Sequence, residues 1–232
     1  MAGPLTRATM VRVRRLAAAA FAVLAVAAPA AAMPQQEPAP PPPAAPAVPV
    51  PPTSDPPIAW RHSIAVGKPF AGRLVHGVQL PAEGRDFFTY DWGTRLIPNR
   101  PWRRWGTDRL IHTLLDVLAS YRAAHPGAPR VGIADLSRHY GGRFGENFGG
   151  LGHSSHQNGL DADVLYPRVD GAEKRAWRPG LVDQVLAQDL VDRFVAAGAV
   201  YVFTGPHLQL RGPRKVVVKL VHHDDHMHVR VR

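Results

Sequence analysis

Two short segments of the sequence concentrate imidazole and carboxylate side chains. The segment HSSHQNGLDAD at 153–163 contains two histidines and two aspartates, and HHDDHMH at 222–228 contains four histidines and two aspartates. A hydrolytic zinc site needs three protein donors, an open coordination position and a nearby group that accepts a proton from water. The chain has no cysteine, so a metal site in it must use histidine, carboxylate or water ligands. The two segments therefore indicate a metal site with hydrolytic chemistry.

In the first segment, the spacing predicts that a turn brings two donors together. His156 and Asp163 are seven residues apart, which is too far for one face of a helix or for one straight strand. A turn at Asn158–Gly159 followed by the strand DADVLY would fold them back towards each other. Asp161 and Asp163 would then share a strand face, because side chains alternate along a strand.

In the second segment, His226 and His228 lie two positions apart on a strand-like run. Both imidazoles should project from one face, roughly 6 to 7 Å apart, which suits one metal ligand and one neighbour that reaches a water molecule. His223 could reach the same cavity. Histidine runs can also be nonspecific metal-binding tracts. Here, however, two separate clusters in strand-like sequence together offer imidazole, carboxylate and imidazole donors.

Helix-like and strand-like patterns surround these segments. Apolar spacing predicts a helix within 107–127, with Thr107 as N-cap and His125-Pro126-Gly127 ending it, and a second helix at 181–200, ended by Gly198. Without regular βαβ repetition, the mixture favours an α+β fold in which a small, largely antiparallel sheet carries the site, flanked by helices and long loops. The six glycines in 138–156 predict a long loop leading into the histidine cluster. Strands are predicted at 131–137, 161–166, 200–205, 215–221 and 226–231.

Composition divides the chain into three regions. Residues 1–32 are typical of a secretory signal peptide, with four arginines, an apolar run and small residues before Met33. The apolar run is shorter than the ~20 residues that span a bilayer, so no transmembrane segment is expected after cleavage. Residues 33–57 are rich in proline and alanine, which predicts a disordered linker. Residues 58–232 have a globular composition, contain both histidine segments and should form one domain of ordinary size.

The charge balance indicates the surroundings of the protein. The formal net charge is +10, of which the signal segment's four arginines contribute four, so the mature chain would carry +6. This excess suggests anionic partners, and outside a cell wall polymers or lipid headgroups are more accessible than nucleic acid. We therefore expect an exported protein, periplasmic or extracellular, with no nucleic-acid partner. The lack of cysteine excludes a disulfide-stabilised fold.

The two histidine segments also resemble known metallopeptidase motifs. SSHQNGLDAD fits S-x-H-x-x-G-x-[AD]-x-D, and HMH fits the terminal H-x-H, of the superfamily that unites lysostaphin-type peptidases, D-Ala-D-Ala carboxypeptidases and the Hedgehog signalling domain. GHSSHQNGLDADVLY and HDDHMHVRV are more similar to the signature segments of the penicillin-insensitive murein endopeptidases. ADLSRHYGG, and VQLPAEGRDF at 78–87, also resemble that family. The resemblance covers most of 72–232 and implies a Hedgehog/D-Ala-D-Ala-peptidase-like fold.

Carried over to this sequence, the resemblance implies a zinc ion held by His156, Asp163 and His228. His226 and His223 match the family's non-ligand active-site histidines, and His153 matches a further histidine that would approach a second metal or the substrate. The D-Ala-D-Ala carboxypeptidases have Glu-x-x-His-x-His at the second segment, whereas His223 stands at the position of that glutamate. This difference favours an imidazole base and argues against a carboxypeptidase.

The same residues suggest roles in hydrolysis. We expect His226 to act as the general base, because it lies two positions from His228 on the same face. His223 would stabilise the developing oxyanion or protonate the leaving amine. Other polar residues would orient ligands or hold substrate, although ordinary structural hydrogen bonds or salt bridges are an equal alternative. These residues are Asp161, Gln157, Ser155, Asp135 and Arg138.

The expected function is an exported zinc metallopeptidase that hydrolyses peptide crosslinks of peptidoglycan, at the D-alanyl–diaminopimelyl bond if the resemblance extends to substrate. Three alternatives remain open: a zinc D,D- or L,D-carboxypeptidase or amidase on muropeptides, a non-catalytic zinc-containing domain that binds cell wall, and an extracellular nuclease with clustered histidines. The products formed from crosslinked muropeptides, and a DNA digestion with chelator controls, would distinguish them.

Overall fold

The computed structural model describes residues 52–145 and 153–232, in which the chain forms ten strands and two α-helices. The predicted signal peptide and residues 33–51 of the predicted linker lie outside the described residues. No helix in the described ranges combines the length and the apolar character that crossing a bilayer requires. The strands are β1 (Ile64–Lys68), β2 (Ala71–Val75), β3 (Val78–Gln79), β4 (Phe87–Thr89), β5 (Trp105–Gly106), β6 (Val131–Ile133), β7 (Asp161–Leu165), β8 (Tyr201–Thr204), β9 (Val217–Lys219) and β10 (His226–Arg230), and the helices are α1 (Asp108–Ala124) and α2 (Gln184–Ala196).

A six-stranded sheet forms the centre of the described region, in the order β4-β6-β7-β10-β8-β9. The inner pairs β6–β7, β7–β10 and β10–β8 are antiparallel, whereas the outer pairs β4–β6 and β8–β9 are parallel. Two small antiparallel sheets, β1–β2 and β3–β5, accompany it. The predicted α+β class with a largely antiparallel sheet is therefore confirmed.

Strand alternation gives β7 and β10 one apolar face and one polar face. Ala162, Val164, Met227 and Val229 are all buried in the main core. The register sets Met227 opposite Val164 and Val229 opposite Ala162, so the apolar side chains of both strands lie on the same face. The aspartates and histidines at the intervening positions therefore share the opposite face, as the sequence predicts.

Helix α1 begins where the sequence predicts. The Thr107 hydroxyl accepts a hydrogen bond from the backbone N–H of Leu110 at 3.1 Å, which satisfies one of the free donors of the first turn. The helix ends at Ala124 with His125 as its C-cap, so it stops at the predicted sequence His125-Pro126-Gly127. Its buried residues recur at helical spacing and join the same core as β7 and β10. They are Leu110, Ile111, Leu114, Val117, Leu118 and Tyr121.

Helix α2 is shorter than predicted. Leu181, at which the predicted helix starts, instead ends the 3-10 helix Pro179–Leu181, and the α-helix begins at Gln184. Asp183 is the N-cap, and its carboxylate accepts hydrogen bonds from the backbone N–H groups of Val185 and Leu186. Gly198, with φ +83°, follows the last turn as predicted.

Other differences concern short elements and the glycine-rich loop. The predicted strand at 215–221 is reduced to Val217–Lys219, and the five short strands β1 to β5 were not predicted. Each of these has two to five residues, too few for a clear alternation pattern. Of the predicted loop at 138–156, residues 146–152 lie outside the described residues.

The unpredicted β1–β2 hairpin lies against the segment that carries the first histidine cluster. The backbone N–H of Gln157 donates to the carbonyl of Pro69 at 2.9 Å, and the Asn158 side-chain amide donates to the carbonyl of Gly67 at 3.3 Å. These bonds hold the tip of the hairpin beside residues 156–158. The tip residue Phe70 is exposed and contributes to the wall of the cavity described next.

Candidate metal centre

A cavity of about 850 Å³ lies over the polar face of β7 and β10. Both histidine clusters line it, together with Asp163 from β7. Aromatic walls are contributed by Phe70, Trp92 and Phe203, which come from three separate segments of the chain. The structure therefore brings the two predicted segments to one concave surface, the usual setting of a binding or catalytic site.

Two predicted imidazole donors converge on the third predicted donor, the Asp163 carboxylate, at the floor of this cavity. Asp163 Oδ1 lies 3.3 Å from His156 Nε2 and 3.1 Å from His228 Nδ1. All three side chains are almost completely buried, with at most 8 % of the side-chain surface exposed. Two imidazoles and one carboxylate in this arrangement match the donor set of a hydrolytic zinc site with a free position.

Hydrogen bonds on the far side of each imidazole fix which nitrogen faces Asp163. His156 Nδ1 lies 2.7 Å from the carbonyl oxygen of Leu136, so Nδ1 carries the proton and Nε2 keeps its lone pair. His228 Nε2 lies 2.9 Å from Asp161 Oδ1, which leaves Nδ1 as the donor atom of that ring. Outer partners of this kind are the usual means of orienting metal-binding histidines.

Two unpaired buried atoms test whether these residues fit a metal ion. Among the described side chains, His156 Nε2 and Asp163 Oδ2 are buried and have no hydrogen-bond partner. Most buried polar atoms in proteins are paired, and leaving one unpaired costs roughly 1–3 kcal/mol. Both atoms belong to groups that bind divalent metals, and both lie beside the cavity. A cation at this point would satisfy them together, so the residues fit the zinc that the sequence predicts.

His153 belongs to the same cluster. Its Nδ1 lies 3.9 Å from Asp163 Oδ2, and its Nε2 lies 2.6 Å from Asp135 Oδ2. One possible ligand atom from each of His153, His156 and Asp163 lies within 4.8 Å of the other two. Two overlapping donor sets therefore share His156 and Asp163, one completed by His228 and the other by His153.

His223 and His226 lie together on the other side of the donors. Their ring centroids are 4.8 Å apart, and His226 Nε2 is 3.8 Å from Asp163 Oδ1. His223 Nδ1 bonds with the carbonyl of Val221 at 2.8 Å. Both rings line the cavity, so both are placed where they could exchange a proton with a substrate or with water.

The remaining predicted polar residues are placed in different ways. Ser155 lines the cavity. Asp135 is fully buried and pairs with Arg103 and His153. Gln157 is buried beside the hairpin and is not among the cavity-lining residues, and Arg138 donates to the carbonyl of Arg143, also away from the lining.

Neighbouring opposite charges shift the pKa values of Asp163 and His228. Burial alone would raise the pKa of Asp163, but the neighbouring histidines, His156 foremost, hold it well below its ordinary value. Burial alone would lower the pKa of His228, but hydrogen bonds with Asp161 and Asp163 and their negative charges raise it to about 9. Asp163 is therefore ionised at neutral pH, as metal ligation requires, whereas His228 carries an extra proton that a metal ion would displace from Nδ1 on binding.

Two other histidines, unlike His228, have pKa values below the ordinary value for histidine. Burial lowers the pKa of His156. Burial, and next the charge of His226, lower the pKa of His223. A lowered pKa favours the neutral imidazole, which is the form that binds a metal or accepts a proton.

Sequence reasoning missed three residues around His226. Asp225, Arg175 and Trp92 all line the cavity. Asp225 Oδ1 lies 2.6 Å from His226 Nδ1, and Arg175 bonds to the other oxygen of the same carboxylate. Asp225 could have been noticed because it precedes a predicted catalytic histidine. Arg175 and Trp92 are far from both motifs in sequence and carry no local signal.

Comparison with known proteins identifies the family. A comparison with curated proteins gives no match. A family model described as penicillin-insensitive murein endopeptidase matches residues 65–210, which is more than half of the chain and includes His153, His156 and Asp163. Residues 223–228 follow the matched range. The pairing of β10 with β7 brings His226 and His228 onto the same site, and His223 lies beside His226. The chain thus belongs to the penicillin-insensitive murein endopeptidases, peptidases that act on peptidoglycan.

Proposed function

We propose that the protein is a zinc-dependent endopeptidase that hydrolyses the D-alanyl–diaminopimelyl crosslinks of peptidoglycan, with His156, Asp163 and His228 as the zinc ligands. The observation that carries the proposal is the pair of buried, unpartnered atoms, His156 Nε2 and Asp163 Oδ2, at the floor of the cavity. The orientation of His228 Nδ1 towards the same carboxylate supports the third ligand. A zinc ion held there supplies positive charge that polarises the scissile carbonyl and promotes loss of a proton from water.

His226 is the general base in this proposal. Its Nδ1 is bonded to Asp225, so the lone pair of Nε2 faces the donor cluster, 3.8 Å from Asp163 Oδ1. From there it can accept the proton of the attacking water, since a positioned base must reach the proton that it removes. The proton then passes to the leaving amine, which completes hydrolysis.

His223 stabilises the oxyanion or protonates the leaving amine. Its ring lies 4.8 Å from that of His226, centroid to centroid, and faces the same cavity. With two neutral imidazoles and one carboxylate as zinc ligands, the centre carries a net charge of about +1, which suits an anionic tetrahedral intermediate. His153 contacts the substrate or helps to hold a second metal ion. It lies next to His156 and Asp163, the two residues that belong to both donor sets.

The rest of the chain is consistent with a wall substrate. We propose that residues 1–32 direct export and are removed, that residues 33–57 are a flexible tether, and that residues 58–232 are the catalytic domain. An export signal of this kind places the enzyme in the periplasm or the cell wall, where its substrate lies. The net positive charge favours approach to an anionic polymer.

The test is digestion of purified crosslinked muropeptides followed by mass analysis. The protein should convert dimers into monomers, lose this activity in a chelator and recover it when zinc is restored. Release of only a terminal D-alanine from monomers would instead indicate a carboxypeptidase. Intact dimers under all metal conditions would contradict the proposed activity and favour a binding domain.

A further inference from the structure

We propose that Asp225 is a positioning residue that holds His226 in its active tautomer. Arg175 pairs with Asp225, and Trp92 packs against both Arg175 and His226. The inference rests on the proposed role of His226 as the general base. It assigns a function to three residues that belong to neither of the two donor sets.

The contact between Asp225 and His226 defines the tautomer. Asp225 Oδ1 lies 2.6 Å from His226 Nδ1. A carboxylate can only accept a hydrogen bond, so Nδ1 must carry a proton, and in the neutral imidazole Nε2 is then the nitrogen that keeps its lone pair. Nε2 is the nitrogen that faces Asp163 and the cavity. The carboxylate thereby selects the form of His226 that can remove a proton.

The second oxygen of Asp225 is occupied by Arg175. Arg175 Nε and Nη2 lie 2.6 and 2.5 Å from Asp225 Oδ2. The Asp225 side chain is 14 % exposed and that of Arg175 is 36 % exposed, so the carboxylate is the more shielded partner of the pair. Because a guanidinium has donors only, Arg175 also dictates how any replacement at position 225 orients its polar atoms.

Trp92 packs against both partners. The Arg175 guanidinium lies over the Trp92 ring, 5.0 Å from its centroid. The Trp92 and His226 rings meet edge to face, with centroids 5.1 Å apart. Residues from three separate segments of the chain therefore restrict rotation of one imidazole, which is the arrangement that keeps a catalytic group within a narrow range of productive geometries.

The neighbouring residue provides a matched control. Asp224 Oδ2 lies 2.6 Å from Nδ1 of His207, a contact of the same type and length as that between Asp225 and His226. His207 is mostly exposed and does not line the cavity. Replacing Asp224 therefore removes an equivalent pair without touching the site.

The critical variant is Asp225→Asn. Arg175 can only donate, so the asparagine must turn its oxygen towards Arg175 and its amide group towards His226. This orientation makes Nδ1 the acceptor and moves the proton to Nε2, where the base needs a lone pair. We expect kcat to fall by about 100-fold or more, with KM within about 2-fold and an unchanged zinc content. Asp224→Asn should leave kcat and KM as in the wild type.

NMR of nitrogen-labelled histidine reads the tautomer directly and does not require activity. His226 should carry its proton on Nδ1 in the wild-type protein and in Asp225→Glu, which keeps the carboxylate, and on Nε2 in Asp225→Asn. An unchanged kcat in Asp225→Asn, or a lost kcat with an unchanged tautomer, would overturn the proposal. If the wild-type protein cleaves no crosslink, the proposed function fails, while the tautomer comparison still decides the role of Asp225.

Discussion

His228 and Asp163 stand directly opposite each other on β10 and β7, and the Nδ1 of the histidine lies 3.1 Å from Oδ1 of the aspartate. The two residues are 65 positions apart in the chain, so the register of one antiparallel pair determines whether the donors meet. A slip of one residue would turn every donor of β10 towards the core. The apolar residues between the donors prevent that slip, because it would expose them.

The two overlapping donor sets can be separated by metal analysis. If His228 is the third ligand, His228→Ala should lower the bound zinc to well below one equivalent, whereas His153→Ala should retain it. The reason is that His153 Nδ1 is 3.9 Å from Asp163 Oδ2, while His228 Nδ1 lies within 3.1 Å of Oδ1. Zinc per protein after dialysis is the measurement. His139→Ala serves as control, because His139 lies outside the cavity. Loss of zinc from His153→Ala alone would reverse the assignment.

Asp161→Asn should weaken zinc binding although Asp161 is not a proposed ligand. Asp161 Oδ1 accepts from His228 Nε2 at 2.9 Å and from Arg230 Nε at 2.6 Å. The amide group of asparagine can turn towards His228 and present a donor, which would favour the wrong tautomer of that ring. Changes to such outer partners typically cost about 10- to 100-fold in metal affinity. Competition with a chromophoric chelator measures the change, and an affinity equal to that of the wild type would contradict it.

The buried ion pair behind the site should be important for stability. Arg103 Nε lies 2.6 Å from Asp135 Oδ1, and both side chains are completely buried. Arg103→Met would leave the Asp135 carboxylate without its main partner, and removing one member of such a pair typically costs about 3–5 kcal/mol. Urea denaturation of the metal-free proteins measures the loss. Arg85→Met removes a largely exposed arginine from its pair with Asp86. It should change the midpoint much less, because Arg122 Nε also lies 3.8 Å from the Asp86 carboxylate.

Asp91, which precedes Trp92 in the same loop, should make the free energy of unfolding decrease at acid pH. Asp91 is fully buried and accepts from the backbone of Gly93 and Thr94 and from Arg100 Nε. Burial alone would raise its pKa, but these hydrogen bonds and the nearby arginines lower it below 3.8. The ionised carboxylate therefore stabilises the fold above about pH 3.8, and this contribution is lost as the pH falls through the lowered value.

The variant that tests this is Asp91→Asn. Its free energy of unfolding should fall below that of the wild type at pH 6. The difference should shrink as the pH falls from about 3.8, where the unfolded chain takes up the proton, through the lowered pKa of the folded protein. Urea curves of metal-free protein at several pH values measure the effect. Asp116→Asn, at an exposed position on α1, is the matched control. A difference that stays constant down to pH 2 would show that the charge of Asp91 is not its cause.

The sequence by itself determined the donor types, the alternation that puts Asp161 and Asp163 on one face, and the cap that starts α1. These are local properties, because strand alternation, helical periodicity and capping depend on residues within a few positions of one another. It also carried the motif resemblance that the family comparison confirms. What it left open was how segments far apart in the chain meet.

Only the tertiary structure decided the arrangement around those donors. It set His153 beside Asp135, oriented His156 through the Leu136 carbonyl, and brought Arg175 and Trp92 to His226. Such contacts depend on strand register and on the packing of loops that share no periodic pattern with the motifs. The donors of this site can therefore be found in the sequence, whereas the residues that orient them are found only where the folded chain brings them together.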